Sequence, residues 1–356
     1  MCIRDRVGDA PVRLALAPRG ALRWLLPNSG GGGYYRWTLA ASDLARLNAG
    51  TGELSRIERV GMIKNLRALF EAGTLDGAAW IGSLATLARN SDPVVQVAAI
   101  QAVGTLEDPF SAGSDTYSRF VRRLFADAAL RTGWAPGAPE SGSSAQTLRL
   151  EILSIAGSEG RDPAVRSAAR AAAERWLAGD RAAIDPALFE LALVLAAHGG
   201  DRAFFEAYRH RLDQPTSPQE RDALLGGLAS FDAPDLATEG LDLALTDAVR
   251  SSEIARLLFS AARDDAGRDR TLAWVRGHWP ALSVKASPWT LGGMPRLGGG
   301  CSRARLDATG AFFADKRSPL VDNALARATD AVEACLRLRA DQGAAVAAAM
   351  QAEIGR

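Results

Sequence analysis

Residues 92–102 read DPVVQVAAIQA and residues 162–172 read DPAVRSAARAA, so Asp, Pro, Val and three Ala positions return after 70 residues. In both stretches an aspartate that can cap a helix precedes a proline that suits the first helical turn. Stacked helix pairs of about 35 to 45 residues would give this offset, and small alanines let neighbouring helices approach closely. The two stretches therefore predict an all-α chain, built as a HEAT- or armadillo-like α-α superhelix.

The same start signal recurs on either side of these stretches. Asp108-Pro109 and Asp185-Pro186 repeat the pairing of a carboxylate with a proline, which is typical of helix starts. From about residue 42 the apolar residues follow the helical period, as Leu66, Leu69 and Phe70 do. An irregular helical bundle is the alternative to a repeat stack, but it does not explain why the Asp-Pro starts recur.

The first forty residues have a different pattern. Apolar residues alternate with others over 12–16 and cluster over 22–26, four glycines occupy 30–33, and residues 34–39 read YYRWTL. Aromatic and β-branched residues favour strands, and glycines favour turns. We expect a few short β-strands over 7–40 and a helical-repeat domain over 41–356. Residues 1–6 fit neither pattern and are interpreted as a foreign or truncated start.

Composition excludes several classes of protein. The chain has 356 residues, 47% hydrophobic and 23% charged, with a formal net charge of +1, which gives no electrostatic footprint for nucleic acid. No apolar run reaches the roughly 18 residues that a membrane span needs. Cys301 and Cys335 both lie in the C-terminal part, where they could form a disulfide or remain buried thiols. The cellular compartment, cytoplasmic or exported, stays open.

The sequence offers no constellation for catalysis. A zinc peptidase helix needs His-Glu-x-x-His, and the three histidines, His198, His210 and His278, do not have that spacing. There is no Gly-x-Ser-x-Gly motif for a serine nucleophile, and Cys301 has no histidine near it in sequence. We therefore predict no catalytic and no metal-binding residue in this chain.

Several motifs, in a fixed order, resemble one family. Residues 28–37 read NSGGGGYYRW, which resembles the Asn-x-x-x-x-Gly-Tyr-Tyr-Arg-Val signature of the zinc aminopeptidases of the aminopeptidase N family. In that family the signature marks the passage from a β-sandwich to a helical C-terminal domain, the endoplasmic reticulum aminopeptidase C-terminal-like domain. The positions that match family motifs are Asn28, Gly33, Tyr34, Tyr35, Arg36, Glu140, Arg149, Trp274, Trp279, Phe312 and Phe313. The resemblance covers about residues 12–351 and implies that the early strands are the end of such a sandwich.

The resemblance implies a function without catalysis in this chain. In the family the zinc site and the catalytic residues precede this region, so zinc is expected in a missing catalytic domain and no cofactor here. The helical domain would cap the active-site chamber and help to admit and position peptides, with that catalytic domain and peptide substrates as its partners. Arg36, Arg149 and Arg276 are candidate peptide contacts, since guanidinium groups bind carboxylates well.

Two other functions remain open at this stage. One is a freestanding helical-repeat scaffold that binds a protein on its concave face. The other is an independent enzyme with an unrecognised site. A scaffold predicts polar caps at both ends of the stack, whereas a domain severed from its neighbour should expose an apolar patch near its start. The strand-like opening before Tyr34 favours the severed domain.

Overall fold

The structure is a computed structural model that describes residues 20–112, 114–135, 143–214 and 217–356. These residues form seventeen α-helices joined by short turns, a few of them 3-10 turns. The first eight helices are α1 (Ala41–Ala49), α2 (Arg56–Glu71), α3 (Gly77–Ala88), α4 (Pro93–Gly104), α5 (Glu107–Phe110), α6 (Thr116–Thr132), α7 (Ser143–Gly157) and α8 (Pro163–Leu177). The other nine are α9 (Phe189–Ala197), α10 (Arg202–Leu212), α11 (Pro218–Leu228), α12 (Pro234–Asp242), α13 (Ile254–Ala261), α14 (Asp265–Lys285), α15 (Pro288–Gly293), α16 (Arg303–Phe312) and α17 (Pro319–Ile354).

Aspartate caps begin the two helices that predicted the fold. The Asp92 carboxylate accepts a hydrogen bond from the backbone N–H of Val94 at 2.9 Å at the start of α4. At the start of α8, Asp162 accepts from Ala164 and Val165 at 3.0 and 2.9 Å. Each bond satisfies an N–H that has no partner inside the helix. The helix starts predicted at Asp92 and Asp162 are thus confirmed.

One predicted start was wrong. Asp108-Pro109 lies inside the single turn of α5, which begins one residue earlier. The Asp108 carboxylate forms an ion pair with Arg268 at 2.8 Å instead of capping a helix. The ion pair with Arg268 therefore determines the role of Asp108, although Asp108 precedes a proline just as the capping residues Asp92 and Asp162 do.

The helices pack as successive pairs. A first row runs through α2, α4, α7, α9, α11 and α13, and each of these helices contacts the next one in the row. Helices of a second row, α3, α6, α8, α10 and α12, pack against the following members of the first row. A continuous core of large side chains lies between the rows, and its fully buried members include Trp80, Tyr117, Phe120, Phe205 and Tyr208.

The last helix joins the two ends of this arrangement. The 36-residue helix α17 contacts α3, α5 and α6 near the start of the chain and α15 and α16 near its end. Its Gln342 accepts the backbone N–H of Gly77 at 2.9 Å, which caps α3. The buried Glu353 pairs with Arg89 at 3.0 Å. The helix α17 thus connects the first helices of the chain to the helices that follow the two rows.

The opening segment differs from its prediction. Residues 20–40 contain no strand, and the rest of the described chain contains none either. A strand is stabilised by hydrogen bonds to a neighbouring strand, and these residues have no such neighbour among the described residues. Trp24 instead packs over Gly50, where a Cβ atom would lie 2.4 Å from the indole ring. The other expected strand, over 12–16, and the start at 1–6 lie outside the described residues.

No helix of the described ranges has the length and apolar character required to cross a membrane.

Candidate functional site

The glycine-rich turn of the aromatic motif is closed by its own asparagine. The Asn28 side chain donates to the carbonyl of Gly33 at 2.9 Å and accepts the N–H of Gly33, also at 2.9 Å. Gly30 and Gly31 have φ angles of 68° and 65°, a left-handed conformation that glycine adopts without steric cost. The Tyr35 hydroxyl donates to the carbonyl of Pro27 at 2.7 Å, so the turn carries its aromatic residues in a fixed position.

One carboxylate attaches this turn to α2. Glu58 accepts hydrogen bonds from the N–H of Gly30 at 2.9 Å and from the Ser29 hydroxyl at 3.0 Å. It also completes a capping box with Ser55 at the start of α2. The N–H groups of Gly30 and Ser55 stabilise the ionised form, and they lower the pKa of Glu58 from 4.5 to about 2.

A buried asparagine holds the end of the motif. Asn65 on α2 is only 3% exposed. It donates to the carbonyl of Trp37 at 2.8 Å and accepts the N–H of Trp37 at 3.1 Å. The side-chain amide thus replaces the partner strand that this segment lacks. Neither Asn65 nor Glu58 was predicted from the sequence; only the Ser55-x-x-Glu58 spacing of a capping box could have drawn attention to Glu58.

The motif and α2 enclose a surface recess of about 460 Å³. Five positions singled out in the sequence, Asn28, Gly33, Tyr34, Tyr35 and Arg36, all lie in its wall. Other wall residues come from α2 and include Ile57, Val60, Lys64 and Asn65. The structure therefore brings the first part of the motif set together at one site, which we call the junction recess.

The rim of the junction recess is apolar and exposed. Tyr34 is fully exposed at 108%, Tyr35 is 46% exposed and Ile57 is 59% exposed. Soluble proteins expose single apolar side chains often, but a group of aromatic and aliphatic residues around one recess marks an interaction surface. Arg36 and Lys64 add positive charge to the same wall. The ionised Glu58 lies in this wall too, so the rim is an exposed apolar surface with charges of both signs.

The later motif positions are distributed through the core. Trp274 donates its indole N–H to Asp242 at 2.7 Å and stacks on the ring of His278. Trp279 meets the rings of Phe312 and Phe313 edge-on, with both centroid distances at 5.4 Å. Trp274 thus joins α14 to α12, and Trp279 joins α14 to the C-terminal end of α16, far along the chain from the junction recess. Glu140 lies outside the described residues.

The three candidate peptide contacts have different surroundings. Arg149 pairs with Asp185 at 2.6 Å and donates to the carbonyls of Gly133, at 3.1 Å, and Ala135, so it ties α7 to neighbouring turns. Arg36 is exposed in the wall of the junction recess. Arg276 is exposed on α14. The structure does not bring the three together.

The histidines lie apart and do not form a metal site. His198 is 2.9 Å from Asp232, His210 contacts Gln214, and His278 contacts the carbonyl of Trp274. Burial raises the pKa of Asp232, but the bonds from His198 and from the N–H of Gly199 outweigh it and leave the pKa below its usual value. Among the described residues no group of three or more His, Cys, Asp and Glu side chains could hold a metal ion. This part of the chain therefore does not fit a zinc ion.

The two C-terminal cysteines lie next to each other in space. Cys301 and Cys335 are joined as a disulfide, with their Cα atoms 5.4 Å apart, and the pair links the turn before α16 to α17. One turn further along α17, Arg339 donates to the carbonyls of Cys301, Asp108 and Pro109 at 3.1, 2.8 and 2.9 Å. No sequence pattern marks Arg339, because its three acceptors are backbone atoms distant in sequence.

Comparison with known proteins places most of the chain in one family. Residues 24–334 match the family profile described as ERAP1-like C-terminal domain. Aminopeptidase 2 of Candida albicans is 26% identical over 298 residues, which cover 80% of this chain and 31% of that protein. Aminopeptidase M1 of Arabidopsis thaliana is 25% identical over 270 residues, which cover 73% of this chain and 30% of that protein. The chain thus spans about a third of the length of the curated relatives it matches.

Proposed function

The chain belongs to the family of ERAP1-like C-terminal domains, and from this premise we propose that it is the non-catalytic C-terminal region of a zinc aminopeptidase. In this role it caps the chamber over the active site and helps to admit and position peptides. The zinc ion and the catalytic residues would belong to a domain that precedes this region. The two similar proteins are named aminopeptidases, and the chain matches only about a third of each.

The exposed apolar rim of the junction recess carries this proposal. The rim lies at residues 34–57, close to where the family match begins at residue 24. A preceding domain joined at this point would cover Tyr34, Tyr35 and Ile57 without any long connection. Burying one such side chain stabilises an interface by about 1.5–3 kcal/mol. Residues 7–40 would then be the end of a β-sandwich and the linker, and residues 41–356 the helical-repeat domain.

The packing of successive helix pairs supports the capping role. A HEAT-like superhelix has a concave face, and closure by α17 would give that face the shape of a bowl. Such a bowl would exclude bulk solvent and folded proteins from a chamber beneath it, which helps catalysis by positioning. Arg36 and Arg276 remain candidate peptide contacts, since both are exposed. Arg149 is less suited to this role because Asp185 already neutralises it.

The deciding experiment compares this chain with the same gene extended upstream. Hydrolysis of aminoacyl chromogenic substrates with added zinc should occur only in the extended protein. In that protein, replacing Ile57 by Asp should weaken activity, because it places a charge in the covered rim. Leu130→Asp is the matched control, since Leu130 is 51% exposed on α6 and lies outside the recess wall. Activity of the short chain alone would refute the proposal.

The alternative is a freestanding scaffold that binds a protein partner. The same closed helical arrangement favours it, because helical-repeat proteins bind ligands along a concave face. An upstream region without any peptidase motif would support a scaffold over an aminopeptidase domain. In that case substitutions on the concave face of the repeat, and not at the junction recess, would weaken partner binding.

A further inference from the structure

The last helix is attached to the molecule in two different ways along its length. Val321 and Leu325 near its start, and Leu338 and Val346 further on, lie in the main core or pack against it. No side chain of residues 326–337, all of them described, is part of that core. About three turns in the middle of α17 therefore need another attachment. We call residues 326–337 the middle segment.

A small separate cluster attaches the middle segment to α16. Its buried members are Leu306 of α16 and Ala328 and Val332 of α17. The ion pair between Arg303 and Glu333, at 3.5 Å, leaves about half of each side chain exposed and adds little stability. Three aliphatic side chains bury far less apolar surface than the main core does. Apolar packing alone therefore holds the middle segment weakly.

The disulfide strengthens this weak contact. Cys335 lies one helical turn after Val332, and it is joined to Cys301, two residues before α16 begins. Cys301 is buried at 4% exposure, whereas Cys335 is partly exposed. A thiol from solution therefore reaches the sulfur of Cys335 more readily than that of Cys301.

The other side of α16 is bound to α14 by contacts that involve neither cysteine. Phe313, directly after α16, meets the ring of Trp279 edge-on at a centroid distance of 5.4 Å. The buried Arg305 pairs with Asp265 at 2.8 Å and with Asp269 at 2.6 Å. We therefore expect α16 to stay on α14 if the disulfide is broken.

We propose that the Cys301–Cys335 disulfide is a redox-controlled link, which a dithiol reductant opens in the folded chain and whose opening frees the middle segment from α16. Both ends of α17 stay in place, because the main core holds them and Arg339 binds the carbonyls of α5. The change is thus local to one part of one helix. The proposal does not depend on the role assigned to the junction recess.

The exchange takes two steps. A thiolate of the dithiol attacks Sγ of Cys335, the S–S bond breaks, and its electron pair leaves on Sγ of Cys301, which takes up a proton. The second thiolate of the dithiol then attacks the reductant sulfur bound to Cys335. This step closes a cyclic disulfide in the reductant and releases Cys335 as a thiolate, which is protonated. Each cysteine gains one electron and one proton, and the dithiol loses two of each.

Reduction kinetics of the intact chain distinguish this link from a purely structural disulfide. The chain would be treated with dithiothreitol, and its free thiols trapped with iodoacetamide and located by mass spectrometry. Opening in the folded chain should be first order in dithiothreitol and insensitive to urea well below the unfolding transition. A rate that saturates with dithiothreitol and rises with urea would overturn the proposal, because opening would then require global unfolding. Free thiols before any reductant is added would overturn it too.

Hydrogen exchange identifies the part that is released. After reduction the amides of residues 326–337 should exchange at least about tenfold faster, because the disulfide no longer restricts them, while the amides of α9 should be unchanged. The double variant Cys301→Ser, Cys335→Ser should exchange like the reduced chain without any reductant. Equal exchange of residues 326–337 in the oxidised and reduced chains would contradict the proposal.

A pair of valine variants keeps the test decisive if the double variant folds poorly. Val332 and Val346 are both fully buried on α17, the first in the small cluster and the second in the main core. Val332→Ala should accelerate exchange of the middle segment more in the reduced chain than in the oxidised chain, because the cluster and the disulfide share one contact. Val346→Ala is the matched control and should act equally in both. An equal effect of Val332→Ala in the two redox states would also overturn the proposal.

Discussion

At the scale of single residues, polar side chains form the hydrogen bonds that backbone groups of a neighbouring strand would otherwise form. Asn65 binds both backbone groups of Trp37, and Asn28 binds both backbone groups of Gly33. Buried or partly buried backbone groups need such partners, because an unpaired one costs about as much as a lost hydrogen bond. The sequence around the aromatic motif thus folds into an ordered surface without a sheet.

Asn65→Ala should be one of the more damaging single changes near the junction recess. It removes two hydrogen bonds and leaves the N–H and C=O of Trp37 unpaired in a buried place. We expect the free energy of unfolding to fall by about 2–4 kcal/mol. Chemical denaturation followed by circular dichroism measures this. Asn90→Ala, at a partly exposed asparagine after α3, is the control and should lower the free energy of unfolding by less than half as much. An equal decrease in the two variants would contradict the role assigned to Asn65.

Glu58 should make the stability of the glycine-rich turn depend on pH in the acidic range. Its pKa is about 2 in the folded chain and ordinarily 4.5, so the ionised carboxylate stabilises the fold above pH 4.5. This stabilisation is lost as pH falls from about 4.5 towards 2. Because the side chain is partly solvated, we expect Glu58→Gln to cost only about 1 kcal/mol at neutral pH. The difference between the two proteins should vanish at about pH 2; a difference that persists there would refute this role.

At the scale of elements, caps and ties decide where helices begin and how they meet. Asp162→Ala removes the acceptor for two N–H groups at the start of α8, and should lower the free energy of unfolding by about 1–2 kcal/mol. Asp162→Asn keeps an acceptor oxygen and should cost clearly less. Thermal unfolding of the two variants, side by side, measures the difference. Equal decreases in the two variants would mean that the negative charge of Asp162, and not its hydrogen bonds, stabilises the start of α8.

The guanidinium group of Arg339 connects different elements by hydrogen bonds. Arg339 donates to three carbonyls, on α5 and on the turn at Cys301. Lysine keeps the charge but lacks the planar fork, so Arg339→Lys should recover only part of what Arg339→Met loses, about 2–3 kcal/mol in total. Arg337, also on α17, provides a control position for the same substitutions. Full rescue by lysine would show that charge alone matters.

At the scale of the whole molecule, the disulfide and α17 connect parts of the chain that are distant in sequence. The Cys301–Cys335 link encloses a loop with a sequence separation of 34. Cross-links of this size stabilise proteins by about 2–4 kcal/mol, mainly by restricting the unfolded chain. Replacing both cysteines by serine should lower the free energy of unfolding by that amount, measured by chemical denaturation. Addition of a thiol reductant should lower the natural chain to the same level and leave the double variant unchanged; an unaffected natural chain would show that no disulfide forms.

The sequence by itself determined the helical class and the local starts. The all-α class, the caps at Asp92 and Asp162 and the family follow from local patterns, because capping and periodicity act within a few residues. The motif positions from Asn28 to Arg36 also lie within one short segment of the sequence. In the structure they all lie in the wall of the junction recess.

Only the tertiary structure decided the rest. Residues 22–26 and 34–39 have strand-like composition, but they form no strand among the described residues, because a strand depends on a partner that local sequence cannot supply. Asp108-Pro109 has the sequence of a cap, yet Arg268 captures its carboxylate from 160 residues away. The packing of α17 against both early and late helices and the three hydrogen bonds of Arg339 likewise depend on contacts between distant residues. Such contacts leave no periodic trace in a single sequence, since each one needs the complete fold to bring its partners together.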